Sequence, residues 1–135
     1  ELNEIYPYCS IGAPPQVLKD EALKSRAVIG NRNVLREGVQ IHRGSTKAGG
    51  LTKVGDDNYL MSSVHIAHDC KLGNHITIAS HSGLAGHVEV FDHALISGLC
   101  GVAQYECIFV RHCSFESSPD PWKDAFGRRE VGIGP

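Results

Sequence analysis

From Val54 onward an aliphatic residue recurs at every sixth position: Val54, Leu60, Ile66, Leu72, Ile78, Leu84, Val90, Ile96, Val102 and Ile108. The same beat is present earlier at Ile29, Leu35 and Ile41, and from Ile5 to Ile11. A period of six fits neither a 3.6-residue helix nor the alternation of an ordinary strand. It is the period of a parallel β-helix, in which each hexad supplies one short strand and one corner. Four residues after each aliphatic position stands a second series, Val64, Cys70, Ile76, Ser82, Val88, Ala94 and Cys100, mostly small or apolar. It is predicted to fill the interior near the corners. Glycine directly follows the aliphatic residue at Gly12, Gly30, Gly55 and Gly73, which predicts tight corners there.

Sequences with this hexad resemble the left-handed β-helix family, in which three hexads complete one triangular coil. The resemblance implies both the hand and the three sides. Residues 18 apart then stack vertically, with neighbouring coils about 4.8 Å apart. Two segments break the beat: Ala13 to Arg26, with its Pro14-Pro15 pair, and Arg43 to Lys53, with a glycine-rich middle. Both are predicted to be loops thrown outward, where binding residues gather on a rigid scaffold. After Ile108 the pattern fails, and Ser117 to Trp122 (SSPDPW) reads as irregular chain. The expected fold is all-β: a hexapeptide-repeat β-helix over residues 1–108 and an irregular tail over 109–135. A solenoid also leaves open ends and flat outer faces that call for caps or partner subunits.

This register places chemistry-bearing residues in columns. His68, Gly86 and Gln104 form one; Asp69, His87 and Tyr105 form the next; His65 heads a third, with Gly83 and Gly101 above it. The glycines leave space beside the histidines and expose backbone N–H groups. A neutral imidazole takes a proton from an alcohol near pH 7. A carboxylate beside it holds the tautomer and stabilises the imidazolium, and a glycine N–H one coil away stabilises an oxyanion. These parts suit acyl transfer to a hydroxyl without a covalent enzyme intermediate. A zinc site is a rival reading, since His65 and His68 stand three apart and zinc takes converging histidines. His42, His75, His81, His93 and His112 read as surface or corner residues. Asp20-Glu21 and Asp56-Asp57 read as solvated turns, and Arg43, Lys47 and Lys53 as a solvated basic rim.

Composition narrows the classes. The chain has 135 residues, the size of one domain, with a net charge of −2 and therefore no basic field for nucleic acid. No run of about 18 apolar residues exists to span a membrane. The opening ELNEIYPYCS lacks the basic start and apolar core of a signal peptide. Without an initiating methionine, the expectation is a fragment or a processed chain. Five cysteines, Cys9, Cys70, Cys100, Cys107 and Cys113, form no CxxC. An odd number argues against a disulfide framework and for a reducing cytoplasm, with most thiols buried as small hydrophobes.

The blocks IHRGS (41–45), GGLTKVGDDN (49–58), HIAHDC (65–70) and LAGHVEV (84–90) closely resemble the acyl-[acyl-carrier-protein]–UDP-N-acetylglucosamine O-acyltransferase family, which makes the first committed step of lipid A synthesis. The likeness runs from about Asn3 to Ile108. It implies a cytoplasmic homotrimer with active sites between neighbouring subunits. The implied reaction moves a 3-hydroxyacyl group from acyl carrier protein to the 3-hydroxyl of UDP-N-acetylglucosamine. No cofactor and no metal are implied, because the thioester carries the activation. Matched motif by motif, His68 is the general base, Asp69 its carboxylate partner and Gly86 the oxyanion donor. His65 and His87 line the sugar-nucleotide and acyl site, and Gln16, Lys19 and Gln104 match positions near the substrate. The chain departs from the family at Val17, where an acidic residue is usual, and at Ala103, where a histidine is usual. Glu106 falls on an inner position that is normally small or apolar. The family's other coils and C-terminal helical region lie outside the match. A related UDP-sugar N-acyltransferase and an inactive remnant of the enzyme are the alternatives.

Overall fold

The computed structural model describes residues 1–20 and 24–109. Fifteen short strands, three to a coil, make five coils. The first coil is β1 (Glu4–Ile5), β2 (Ser10–Ala13) and β3 (Arg26–Ile29); the second is β4 (Val34–Leu35), β5 (Gln40–His42) and β6 (Leu51–Val54). The third is β7 (Tyr59–Leu60), β8 (His65–Ile66) and β9 (Lys71–Leu72), and the fourth β10 (Thr77–Ile78), β11 (Gly83–Leu84) and β12 (Glu89–Val90). The fifth is β13 (Leu95–Ile96), β14 (Gly101–Val102) and β15 (Cys107–Ile108). Every third strand joins the same sheet, which gives three parallel five-stranded sheets: β1-β4-β7-β10-β13, β2-β5-β8-β11-β14 and β3-β6-β9-β12-β15. This is the hexapeptide-repeat β-helix expected from the period.

The pairing register locates the two interruptions. His65 pairs with Gly83 and Gly83 with Gly101, both 18 apart. Glu4 pairs with Val34 and Val34 with Tyr59, separations of 30 and 25 instead of 18. The surplus of 12 and 7 residues lies between β2 and β3 and between β5 and β6. Both loops therefore leave the β-helix at the edge that joins the second sheet to the third.

Both hydrophobic series point inward. Leu35, Ile41, Leu60, Ile66, Ile78, Leu84 and Ile96 are fully buried, and so are Val39, Val64, Cys70, Ile76 and Val88. Each large aliphatic side chain removed from water stabilises the fold by about 1.5–3 kcal/mol. Ile5 and Ile11 keep 54% and 40% of their surface, because no described coil lies beneath the first one. Glu106, on the corresponding inner position of the fifth coil, is half-buried at the other end of the stack, where it retains contact with solvent.

Two expectations need correction. Corners do turn through the left-handed region, but three residues after each aliphatic position and mostly without glycine. Asp57, Ser63, Asp69, His75, His81, His87, His93, Leu99 and Tyr105 all have φ between 56° and 65°. Of the four glycines, only Gly12 has a positive φ. Gly30, Gly55 and Gly73 serve close approach: a Cβ at each would collide with Asp56, Asn74 and Asp92 from the next coil. Those carboxylate and amide oxygens accept the backbone N–H groups of Asn31 (2.6 Å), Asp56 (2.8 Å) and Asn74 (2.7 Å). Asp56-Asp57 is accordingly no solvated turn, since Asp57 also takes a two-pronged ion pair from Arg32, both contacts 2.7 Å. The proposed tail, 109–135, lies outside the described residues except for Phe109.

Candidate active site

The second-to-third edge carries two loops and, above them, three corners stacked in the 18-residue register, so this edge collects the residues of interest. Beneath are the loop after β2 and the loop after β5. Above follow the corners 67–70, 85–88 and 103–106.

His68 and Asp69 occupy the turn after β8. The His68 Nδ1 lies 2.7 Å from Asp69 Oδ2, with side-chain exposures of only 11% and 4%. A carboxylate only accepts, so Nδ1 carries a proton, and in the neutral tautomer that this contact selects Nε2 keeps its lone pair. Asp69 is held from below. Its oxygens accept the Ser45 N–H at 3.0 and 3.1 Å and the Ser45 hydroxyl at 2.7 Å. Its own N–H donates to Thr52 Oγ1 at 2.8 Å.

One coil up, Gly86 lies against the His68 ring: a Cβ there would stand 2.5 Å from Cε1 and 2.7 Å from Nε2. Only glycine leaves the imidazole its place. His87 N–H donates to the His68 carbonyl (3.1 Å), while its ring meets His68 edge-on at 5.2 Å. His87 Nε2 reaches to 3.9 Å from Asp69 Oδ2. Tyr105, a coil higher, stacks on His87 with centroids 4.6 Å apart and planes 10° apart. The column Asp69, His87, Tyr105 thus exists as read from the register.

His65 belongs to a second pair on the adjoining sheet. Its Nδ1 is 3.1 Å from Gln40 Oε1 and its ring lies 5.0 Å from that of His42. Burial first, and the His42 ring second, hold the His65 imidazole below its ordinary value. Above His65, Gly83 and Gly101 open a strip in which a Cβ would touch nothing within 4 Å. His42 is not a surface residue: it is 8% exposed, with Nδ1 2.7 Å from the Pro14 carbonyl. His75 and His93 form a stacked pair on another edge, His81 is exposed, and His112 lies outside the described residues.

Gln16 and Lys19 are exposed in the first loop, and Gln104 is exposed above Gly86; among the described residues none of the three is hydrogen-bonded to His68. Asp20 is not a solvated turn residue. It accepts the Thr46 N–H at 3.0 Å and the Thr46 hydroxyl at 2.7 Å, tying the first loop to the second. Glu21 lies outside the described residues. Arg43 departs from the expected basic rim: it is half-buried, with its Nε covered and without an acceptor among the described residues. Ser45, Thr52 and Asp20 escaped the sequence reading. Their partners lie 24, 17 and 26 residues away: the loop insertions shift Ser45 and Asp20 out of the 18-residue register, and Thr52 meets Asp69 one residue off it.

Residues 51–86 match the family model described as bacterial transferase hexapeptide (six repeats). Over 105 residues, 78% of this chain, it is 47% identical to the acyl-[acyl-carrier-protein]–UDP-N-acetylglucosamine O-acyltransferase of Burkholderia multivorans, covering 40% of that protein. Among solved structures it is similar to LpxA from Acinetobacter baumannii, with a TM-score of 0.77, 42% identity, and coverage of 78% of this chain and 41% of that one. The Francisella novicida UDP-N-acetylglucosamine acyltransferase gives 0.76 and 42%, covering 78% of this chain and 38% of that one. Period, fold and matches define a hexapeptide-repeat β-helix of the bacterial transferase type. Within that class the chain is a homologue of the UDP-N-acetylglucosamine O-acyltransferases. It spans about 40% of the length of the curated relatives it matches.

Proposed function

We propose that this chain serves the transfer of a 3-hydroxyacyl group from acyl carrier protein to the 3-hydroxyl of UDP-N-acetylglucosamine, the first step of lipid A synthesis. The observation that carries the proposal is the buried His68–Asp69 contact at 2.7 Å with Gly86 against the imidazole face. His68 Nε2 takes the proton of the sugar hydroxyl as its oxygen attacks the thioester carbonyl. The C–O bond forms, the C–S bond breaks, and the departing sulfur takes the proton back from Nε2. Asp69 stabilises the imidazolium between these events. General-base catalysis of this kind contributes about 10²–10⁴-fold. The Gly86 N–H makes no hydrogen bond to any described residue, and in this reading it donates to the oxyanion, where one such donor is worth about 10²–10³-fold. His65, His87 and Gln104 line the substrate on the coils above and beside, with Gln16 and Lys19 reaching it from the first loop. The working form is a homotrimer in the cytoplasm.

His68, Asp69 and His87 place one ligand atom each within 4.8 Å of one another, which favours a metal site as the second reading. Asp69 argues for the acid–base reading, because Oδ2 already accepts hydrogen bonds from Ser45 and His68. Two assays separate the possibilities. Offered UDP-N-acetylglucosamine and its 3-amino analogue with 3-hydroxyacyl carrier protein, the protein is expected to form the alkali-labile ester. Exclusive acylation of the amine makes it an N-acyltransferase. Stoichiometric zinc in the purified protein, lost together with activity on chelation, establishes the metal reading instead.

A further inference from the structure

We infer that Ser45 is the positioning residue of the acid–base pair, the group that sets the Asp69 carboxylate and through it the tautomer of His68; the inference rests on the acyl-transfer reading above. Ser45 is 2% exposed and Asp69 is 6% exposed, so the contacts between them are removed from water. A carboxylate offers about four acceptor sites. Ser45 supplies two donors, its N–H shared between Oδ1 and Oδ2 at 3.0 and 3.1 Å and its hydroxyl to Oδ2 at 2.7 Å, and His68 Nδ1 reaches Oδ2 at 2.7 Å. Charge-assisted hydrogen bonds of this length are stronger than neutral ones. They leave the carboxylate one orientation, facing Nδ1.

The local structure shows where the hydroxyl of Ser45 is spent. Ser45 precedes the short 3₁₀ turn Thr46–Ala48, a position where serine ordinarily caps the turn with its side chain. Here it makes no capping hydrogen bond, and Asp20 receives the Thr46 N–H instead. The hydroxyl is turned away to Asp69. The loop is built to hold it there. The Ser45 carbonyl accepts the N–H groups of Ala48 (3.2 Å) and Gly50 (2.8 Å), which pinch the loop closed. Gly44 lets the backbone in, since a Cβ there would stand 2.8 Å from Asp69 Oδ1 and collide with Leu51 N. Thr52, fully buried, fixes the Asp69 N–H from the far side of the same loop. Among the described residues, Asp69 and His87 bring titratable atoms up to His68, with Tyr105 stacked behind His87.

The test uses the full chain labelled with 15N-histidine, as parent, Ser45→Ala, Ser45→Thr, Asp69→Ala and Ser45→Ala/Asp69→Ala. Nitrogen shifts of neutral His68 report which ring nitrogen holds the proton, whether or not the sample turns over. The parent is expected to carry it on Nδ1, Ser45→Ala to populate both tautomers, and Ser45→Thr to restore the parent state. In the transfer assay Ser45→Ala should lower kcat about ten- to a hundredfold with KM little changed, the effect of losing a hydrogen bond to a charged group. On the Asp69→Ala background the same change should cost nothing further. An unchanged tautomer in Ser45→Ala, or a loss that multiplies that of Asp69→Ala, overturns the inference. If Ser45→Ala does not fold, Ser45→Cys, similar in size with a weaker donor, carries the same measurements. Full transfer activity in His68→Ala removes the acyl-transfer reading, while the tautomer data still judge Ser45 by themselves.

Discussion

At the scale of single residues, the candidate chemistry depends on small spaces. Gly86 has no left-handed φ and is there for room alone, because a methyl group would meet the His68 ring at 2.5 Å. Gly86→Ala keeps the N–H but pushes the His68 ring out of place, so it is expected to cut kcat by about a hundredfold or more and to destabilise the fold by about 1–3 kcal/mol. His65 predicts a pH effect of definite sign. Burial, then His42, depress its folded value, so on acidification the unfolded chain takes the proton first. The stability His65 contributes is complete above the ordinary imidazole range and is lost as pH falls below it. Urea unfolding from about pH 8 to about pH 5 should show a smaller drop in His65→Gln than in the parent. Cys70 has the opposite course. Burial pushes its thiol up to about 11, so stability falls as pH rises from the ordinary thiol value toward 11. Below that range Cys70 should resist alkylation unless the chain is unfolded. The contacts Gly86–His68 and Asp69–His87–Tyr105 were legible as columns 18 apart. Ser45 on Asp69 was not, because an outward loop has no period from which to count.

At the scale of elements, two-residue strands have little pairing of their own, and the corners supply the rest. An asparagine ladder runs up one corner. Asn33 N–H donates to Asn3 (2.8 Å), Asn58 N–H to Asn33 (2.9 Å) and Ile76 N–H to Asn58 (2.8 Å), while the Asn58 amide donates to the Gly73 carbonyl (3.0 Å). Asn58 is 1% and Ile76 0% exposed, so Asn58→Leu strands the Ile76 N–H away from water. At about 1–3 kcal/mol for an orphaned group, denaturant unfolding should reveal a loss of about 1–3 kcal/mol; a loss near zero would mean that the ladder is dispensable. The strands, their inward residues and the places of both loops were legible, since a period of six survives any choice of polar residue between; Leu51–Lys53, expected to end the second loop, instead begin β6 and pair with β3. The corner conformation was not. Left-handed φ at Asp69, His87 or Tyr105 is imposed by coil geometry; Asp and His tolerate it better than most side chains but signal it far less plainly than glycine, whereas the glycines that do signal it mostly make way for a neighbouring Asp or Asn.

At the scale of the whole molecule, the β-helix is a ruler that brings the second-to-third edge into one line. His68 and Asp69 come from one corner and Gly86 from the corner one coil above, and both loops leave at that edge. His65 with its open strip above occupies the adjoining face. The proposed trimer sets such an edge against a neighbouring subunit, so light scattering at working concentration should return three chains per particle. The central claim, that His68 serves as the base in acyl transfer, is tested most directly by comparing parent and His68→Ala in one assay. Labelled 3-hydroxyacyl carrier protein and UDP-N-acetylglucosamine are supplied, and acylated sugar nucleotide is counted. The account predicts transfer by the parent and a loss of about 10²–10⁴-fold in His68→Ala. Transfer at the parent rate by the variant, or none by the parent, would contradict it.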